Sequence, residues 1–270
     1  MQHATNIPLS RVVKLTLAML LLKKIFHPVY IIYSYLLFIV GLFIIFPGVL
    51  LALVLGQPTA GNLVIKLSRA WSDGWLFFIG ITHKNIVEEP IKINRHYVFV
   101  ANHISYLDIP LIFQAVRKNP IRILGKIEMS KIPVFGLLYR LAVVLIDRSS
   151  NKSRSDSIFR LRDVLDKNIS IFIFPEGTFN ESGNPLKHFY DGAFRMAIET
   201  QTPIKPIIYL DAINRMHHKG IFTLTPGLSR AVILPEIDVT GYTHDDIAVL
   251  KKNTFDAMQA CILKYGGYYK

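Results

Sequence analysis

A long apolar run occupies residues 29–46, and no Asp, Glu, Lys or Arg lies between Lys24 and Lys66. A helix over this run is about 27 Å long, close to the thickness of the hydrocarbon core of a bilayer. Pro47–Gly48 interrupts the apolar pattern, and only a short apolar limb follows. We expect a helical hairpin that enters one leaflet and is hinged at Pro47–Gly48, because the second limb is too short to span the membrane alone. A single kinked span over residues 30–55 is the alternative.

After residue 86 the pattern changes to short apolar runs separated by polar segments of helical length. The runs are continuous rather than alternating, which is typical of strands covered on both faces of a sheet. Strands are predicted at residues 97–101, 121–125, 142–147, 170–174, 204–210 and 231–234. Helices are predicted at residues 108–117, 128–140, 153–167, 192–200 and 243–265. This alternation predicts an α/β fold with a mostly parallel central sheet flanked by helices, and a site at the carboxyl ends of the strands.

The composition is typical of a membrane-associated protein. Of the 270 residues, 51% are hydrophobic and 19% are charged, and the net charge is +12. Disordered chains combine low hydrophobicity with high charge, and soluble domains carry about a quarter of charged residues, so both classes are disfavoured. The single cysteine, Cys261, excludes an internal disulfide framework and any Cys-based zinc or iron–sulfur cluster.

Positive charge is concentrated on both sides of the apolar run. No acidic residue precedes Asp73. The basic residues nearest to the run are Lys23, Lys24, Lys66 and Arg69. Basic flanks favour placing both ends on the cytoplasmic side, against anionic headgroups. We therefore predict a membrane-anchoring helical region at residues 1–85, and an α/β domain at residues 86–270 whose site faces the cytoplasm.

Two short segments carry candidate chemistry. His103 follows the first predicted strand, and Asp108 begins the next helix. Asp108 can accept the Nδ1 proton of His103, fix the tautomer and leave Nε2 free as a base, although a lone His-x4-Asp pattern is common by chance. In the second segment a strand ends in Phe-Pro-Glu-Gly-Thr at residues 174–178. Here exposed amides and the Thr178 hydroxyl can hold an oxyanion or a phosphate, and a tight turn without function is the alternative.

Taken together and in this order, the two segments resemble the glycerolipid acyltransferase family, whose best-known members are the 1-acylglycerol-3-phosphate acyltransferases. Further blocks agree with the family pattern at residues 125–128, 132–136, 146–148, 192–197 and 202–207. The resemblance covers residues 97–210. The chain departs from it at two places: Phe179-Asn180 stand where the family usually has Arg-Ser, and Asp191 stands where it often has Lys. Both departures remove positive charge near the acceptor headgroup.

The resemblance implies a membrane-bound enzyme of phospholipid biosynthesis that transfers an acyl group from acyl-CoA or acyl-carrier protein to the hydroxyl of a lysophospholipid. His103 is the expected general base and Asp108 its orienting partner. The expected substrate-binding residues are Arg148, Lys126, Glu176, Gly177 and Thr178. We expect no metal and no cofactor besides the acyl donor. We also expect no nucleic-acid partner, because acidic residues interrupt the basic stretch after Arg148.

Several alternatives to the favoured acceptor, 1-acylglycerol-3-phosphate, remain open. A lyso-lipid without phosphate, such as a lyso-amino-acid lipid, is the alternative within the same class. A lipase or thioesterase would use water instead of an alcohol, but the Gly-x-Ser-x-Gly motif of such enzymes is absent. A lipid-binding protein without activity is disfavoured by the intact pair of His103 and Asp108.

Overall fold

A seven-stranded sheet organises the chain from Ile81 onward. The structure is a computed structural model that describes the backbone of residues 9–146 and 151–267 and the side chains of residues 24–145 and 159–267. The strands are β1 (Ile81–Val87), β2 (Val98–Ala101), β3 (Ile121–Lys126), β4 (Val143–Ile146), β5 (Ser170–Ile173), β6 (Ile204–Tyr209) and β7 (Gly227–Ile233). The helices are α1 (Leu9–Ala52), α2 (Thr59–Phe78), α3 (Asp108–Ala115), α4 (Phe135–Ala142), α5 (Asn151–Asp166), α6 (Gly192–Glu199), α7 (Ala212–Arg215) and α8 (Ile247–Tyr265).

The strand order is β1-β7-β6-β2-β5-β3-β4, and every neighbouring pair is parallel except β6 and β7. The predicted α/β fold with a mostly parallel sheet is confirmed. Phe99 and Ala101 of β2, together with Tyr97 just before the strand, face the layer that contains α2 and α3. Val98 and Val100 point to the opposite layer, which contains α6 and α8. The central strands are therefore covered on both faces, as their continuous apolar runs predict.

The sheet begins earlier than the sequence pattern predicts. β1 pairs with β7 over Ile81–Val87, so the predicted boundary at residue 86 falls inside a strand. This strand lies at the edge of the sheet, and only Ile81 is fully buried, whereas Thr82, Lys84 and Val87 are exposed. Because the prediction relied on continuous apolar runs, a half-exposed edge strand carrying His83 and Lys84 was not detected.

The predicted hinge at Pro47–Gly48 is wrong, because α1 continues through both residues to Ala52. The chain reverses only afterwards, between α1 and the start of α2 at Thr59. Gly41 and Gly48 lie on the face of α1 that meets α2, where an added Cβ would lie 2.7 Å from the side chains of Trp71 and Leu67 respectively. Close packing against α2 thus holds both limbs in line, whereas Pro47 lies on the exposed side.

The predicted helix at residues 128–140 is divided in two. A short 3-10 turn, Ile127–Lys131, precedes Pro133, and α4 begins at Phe135. Pro133 disfavours helical geometry in the residue before it, which explains the interruption. The remaining predicted helices are present with ends that differ by a few residues.

Candidate active site

The C-terminal end of β2 places a histidine and an aspartate in direct contact. Asn102 joins β2 to β6, because its amide donates to the Tyr209 carbonyl at 3.0 Å and accepts from the Tyr209 N–H at 2.8 Å. This clamp fixes the direction in which the chain leaves the strand. The next residue, His103, brings Nδ1 to 2.8 Å from Oδ2 of Asp108, the first residue of α3. The predicted hydrogen bond is therefore present, and Nε2 is the ring nitrogen left for chemistry.

Asp108 is held by more than the histidine. Its Oδ2 also accepts from the backbone N–H groups of Ile104 at 2.7 Å and Ser105 at 2.8 Å. The side chain is completely buried. Burial raises the pKa of Asp108, while the His103 contact and the two amide donors act in the opposite direction. A carboxylate fixed in this way orients the imidazole and can stabilise its protonated form.

Aromatic side chains enclose the imidazole of His103. The ring of Phe174 stacks on it with centroids 4.1 Å apart, and Phe179 lies 4.3 Å away. Tyr106 packs edge-on against Phe179. The His103 side chain retains 18% of its accessible surface. These contacts set a partly accessible imidazole within an apolar wall.

Ser105 lies between the two residues in sequence but does not face the histidine. Its hydroxyl donates to the Met216 carbonyl at 2.6 Å and accepts from the Leu107 N–H at 3.0 Å. The side chain is fully buried. Ser105 therefore shapes the loop before α3 and is not placed as a nucleophile.

The segment after β5 forms the opposite side of the site. Gly177 has φ +72° and donates its N–H to the Phe174 carbonyl at 3.1 Å, which makes a tight turn that favours glycine. The backbone N–H of Asn180 donates to the His103 carbonyl at 2.7 Å, so the turn is tied to the histidine. Glu176 is fully buried, and burial raises the pKa of its carboxyl to about 8. This group is therefore mainly protonated at neutral pH.

Lys187 reaches the same turn from the following loop. Its Nζ donates to the Thr178 Oγ1 at 2.7 Å. Sequence reasoning missed this lysine because it lies outside the recognised blocks, and its position becomes evident only when the loop is folded. It places a cation beside Thr178, one residue before Phe179.

A cavity of about 610 Å³ extends from this site to the N-terminal helices. His103, Gly177 and Thr178 line it, as do Trp71 and Trp75 of α2. The two indole rings are stacked with centroids 5.8 Å apart. The lining is predominantly apolar, which suits a hydrocarbon chain. The sequence shows two tryptophans but not that they share a cavity with the histidine.

The predicted substrate-binding residues are brought together in part. Lys126, at the end of β3, lines the cavity and is exposed. Gly177 and Thr178 line it as well, whereas Glu176 is buried beneath the turn. Arg148 lies outside the described residues. Among the described residues, no group of three or more His, Cys, Asp or Glu side chains is arranged to hold a metal ion.

Comparison with known proteins gives a consistent result. Residues 82–210 match the family model described as Acyltransferase. A 1-acyl-sn-glycerol-3-phosphate acyltransferase of Haemophilus influenzae is 30% identical over 186 residues, which is 68% of this chain and 75% of that protein. The human 1-acyl-sn-glycerol-3-phosphate acyltransferase beta is 27% identical over 198 residues, 70% of each chain. The crystal structure of the 1-acyl-sn-glycerophosphate acyltransferase PlsC from Thermotoga maritima has the same fold, with a TM-score of 0.71, 22% identity, and coverage of 90% of this chain and 97% of that one.

Proposed function

The chain belongs to the glycerolipid acyltransferase family and is an O-acyltransferase, and from this premise we propose that it acylates 1-acylglycerol-3-phosphate to give phosphatidic acid. The acyl donor is a thioester, either acyl-CoA or acyl-carrier protein. One observation carries the proposal: His103, hydrogen-bonded from behind by the buried Asp108, lines a large apolar cavity. This arrangement places a base next to a space for a fatty acyl chain.

In the proposed mechanism His103 acts as a general base. Its Nε2 takes the proton of the acceptor hydroxyl while the hydroxyl oxygen attacks the thioester carbonyl carbon. Asp108 stabilises the imidazolium that forms. The carbon–sulfur bond then breaks, and the imidazolium returns the proton to the departing thiolate. Transfer is direct, so no covalent acyl-enzyme forms.

Cations near the site support an anionic acceptor. The acceptor phosphate is attached to the carbon next to the one that carries the free hydroxyl, so its binding groups must lie close to His103. Lys126 lines the same cavity as His103, and Lys187 donates to Thr178, which lines that cavity too. Arg148 is a further candidate on the strength of the resemblance alone. Asp191 forms an ion pair with Lys251 at 2.6 Å, so its negative charge is balanced.

We propose that α1 attaches the enzyme to the membrane by lying along one leaflet. Lys24–Ala52 is the one helix in the described part of the chain that is long and apolar enough to cross a bilayer. Its inner face packs on α2 and its C-terminal end, with the Tyr30 hydroxyl donating to the Ile79 carbonyl and the Trp71 indole donating to the Phe38 carbonyl. The opposite face presents exposed apolar residues at helical spacing. These include Ile25, Val29, Ile32, Leu36, Phe43 and Leu50.

A panel of acceptors tests this function. Purified full-length protein is incubated with a labelled acyl thioester and, separately, lysophosphatidic acid, lysophosphatidylcholine, monoacylglycerol and a lyso-amino-acid lipid, and the products are identified by mass. We expect phosphatidic acid to form fastest. Preferential acylation of an acceptor without phosphate would contradict the acceptor, and release of free fatty acid as the main product would contradict acyl transfer to an alcohol.

A further inference from the structure

A second cavity, of about 270 Å³, lies beside β4 at the edge of the sheet and is termed the β4 cavity. It shares Val143 with the cavity at His103, and the rest of its lining is different. Gln57 and Pro58, which precede α2, form part of its wall. The acylation chemistry described above makes no use of it.

Positive charge dominates the lining of the β4 cavity. Its charged residues are Arg122, Arg140, Arg160, Lys167 and Asp163. Asp163 pairs with Lys167 at 2.7 Å. This leaves three guanidinium groups, none of which forms an ion pair with a carboxylate in the described part of the chain. The cavity is therefore electrostatically prepared for an anion.

Arg122 is a buried positive charge without a negative partner, since only 4% of the residue is accessible. Its guanidinium donates to the Asn62 side-chain oxygen and to the Ile121 and Pro58 carbonyls, each at 2.9 Å. All of these acceptors are neutral. Burial lowers the pKa of Arg122 to about 10. Buried charges are normally paired, and an anion in the β4 cavity would supply the missing partner.

The surroundings of the β4 cavity favour a lipid as the source of that anion. The turn that leads from α1 to Gln57 exposes three consecutive apolar residues, Leu53, Val54 and Leu55, and Val54 is 79% accessible. This turn continues the exposed apolar face of α1. A phospholipid presents a phosphate and hydrocarbon chains side by side, which matches arginines beside an apolar turn. A soluble phosphate or thioester would leave the turn uncovered.

We propose that the β4 cavity binds the phosphate of an anionic membrane phospholipid, whose acyl chains lie against the turn at Leu53–Leu55. Arg140 and Arg160 contact the phosphate, and Arg122, whose terminal N–H groups already donate to neutral acceptors, adds an uncompensated positive charge behind them. The bound lipid holds this end of α1 at the membrane surface, while acyl transfer takes place at His103 in the other cavity. The inference extends the proposed function, and neither one requires the other.

Ligand-dependent thermal stability of the full-length protein in neutral detergent tests the proposal. Short-chain phosphatidylglycerol is titrated, with short-chain phosphatidylcholine, inorganic phosphate and CoA as comparators. The variants are Arg160→Gln, Arg160→Lys and Arg140→Gln, and the control is Lys252→Gln, at a lysine on α8 whose side chain is 74% accessible. Arg140 also donates to the Ser130 carbonyl, so Arg140→Gln can disturb folding. In that case the Arg160 variants decide the test.

We expect phosphatidylglycerol, and not phosphatidylcholine, to raise the unfolding temperature of the wild type and of Lys252→Gln. Arg160→Gln should bind it about tenfold more weakly, and Arg160→Lys should fall in between. An unchanged affinity in Arg160→Gln would overturn the proposal. An equal response to inorganic phosphate would also overturn it, because it would indicate a simple anion site. A CoA response abolished by Arg160→Gln would overturn it as well, because it would indicate a site for the acyl donor.

Acylation of a dispersed short-chain acceptor is measured on the same samples without phosphatidylglycerol. We expect Arg160→Gln to retain wild-type acylation. Absence of acylation in the wild type would count against the proposed function alone. Loss of acylation in Arg160→Gln with a normal unfolding temperature would assign this arginine to the reaction and overturn its role in lipid binding.

Discussion

Replacing Asp108 with Asn removes one negative charge from the site while preserving its hydrogen bonds. Oδ2 accepts from His103, Ile104 and Ser105, whereas Oδ1 has no hydrogen-bond partner among the described residues. An amide oxygen at the Oδ2 position therefore keeps all three donors, and the amide nitrogen occupies the place of Oδ1. Since burial disfavours the charged carboxyl, the change should not destabilise the protein strongly.

The expected kinetic loss follows from the distance between the two groups. With Nδ1 and Oδ2 2.8 Å apart, the centres of charge of an imidazolium and a carboxylate are about 4 Å apart. At an effective dielectric constant of about 20, their attraction is about 4 kcal/mol. Losing that stabilisation in the transition state corresponds to about a thousandfold in rate. Because His103 is 18% accessible, solvent screening reduces this to about a hundred- to thousandfold.

Steady-state kinetics with lysophosphatidic acid and an acyl thioester measure this effect. We expect kcat for Asp108→Asn to fall by about two to three orders of magnitude with little change in either KM. The unfolding temperature serves as the control for folding. A kcat within fivefold of the wild type would refute the role of Asp108, and a comparable loss accompanied by collapse of the unfolding temperature would indicate a structural role.

Three further predictions concern other parts of the molecule. Because burial raises the pKa of Glu176 from 4.5 to about 8, the folded protein keeps a proton that the unfolded chain releases above pH 4.5, and the unfolding temperature should fall between about pH 5 and pH 8. Glu176→Gln should make this fall shallower, and an unchanged slope would contradict the assignment. Lys187→Ala should raise the acceptor KM about tenfold and leave the donor KM unchanged, Lys187→Arg should retain most affinity, and equal effects on both substrates would argue against phosphate binding. In a Cys261→Ser background, cysteines at Lys24 and Gln57 should both react with an impermeant reagent from the cytoplasmic side, whereas reaction from opposite sides would establish a full span.

The sequence predicts the core of the fold because buried parallel strands leave an unambiguous pattern. All six predicted strands form, and their continuous apolar runs reflect coverage on both faces. β1 escapes detection because an edge strand has an accessible face, and only its pairing with β7 defines it. Pro47 is a local helix-breaking signal, but the contacts of α1 with α2 override it.

The same limit applies to the site. The bond between His103 and Asp108 is predictable because the two residues are separated by a short loop at a strand end. Lys187 is not, because its contact with Thr178 depends on the path of a loop with no regular pattern. The sequence predicts Arg69 at the headgroups, yet it donates to the Val116 and Asn119 carbonyls at 3.0 and 2.6 Å, which fixes the end of α3 against α2. A cation in a flanking position can therefore have an internal partner that sequence alone does not reveal.

The central claim is direct acyl transfer with His103 as the base. It is tested most directly by rapid mixing of the enzyme with a labelled acyl thioester and lysophosphatidic acid. The wild type should form labelled phosphatidic acid without a labelled protein intermediate, and His103→Ala should form it about 10²–10⁴-fold more slowly while keeping its unfolding temperature. Transfer by His103→Ala at a rate near that of the wild type, or accumulation of acylated protein before product appears, would contradict the account.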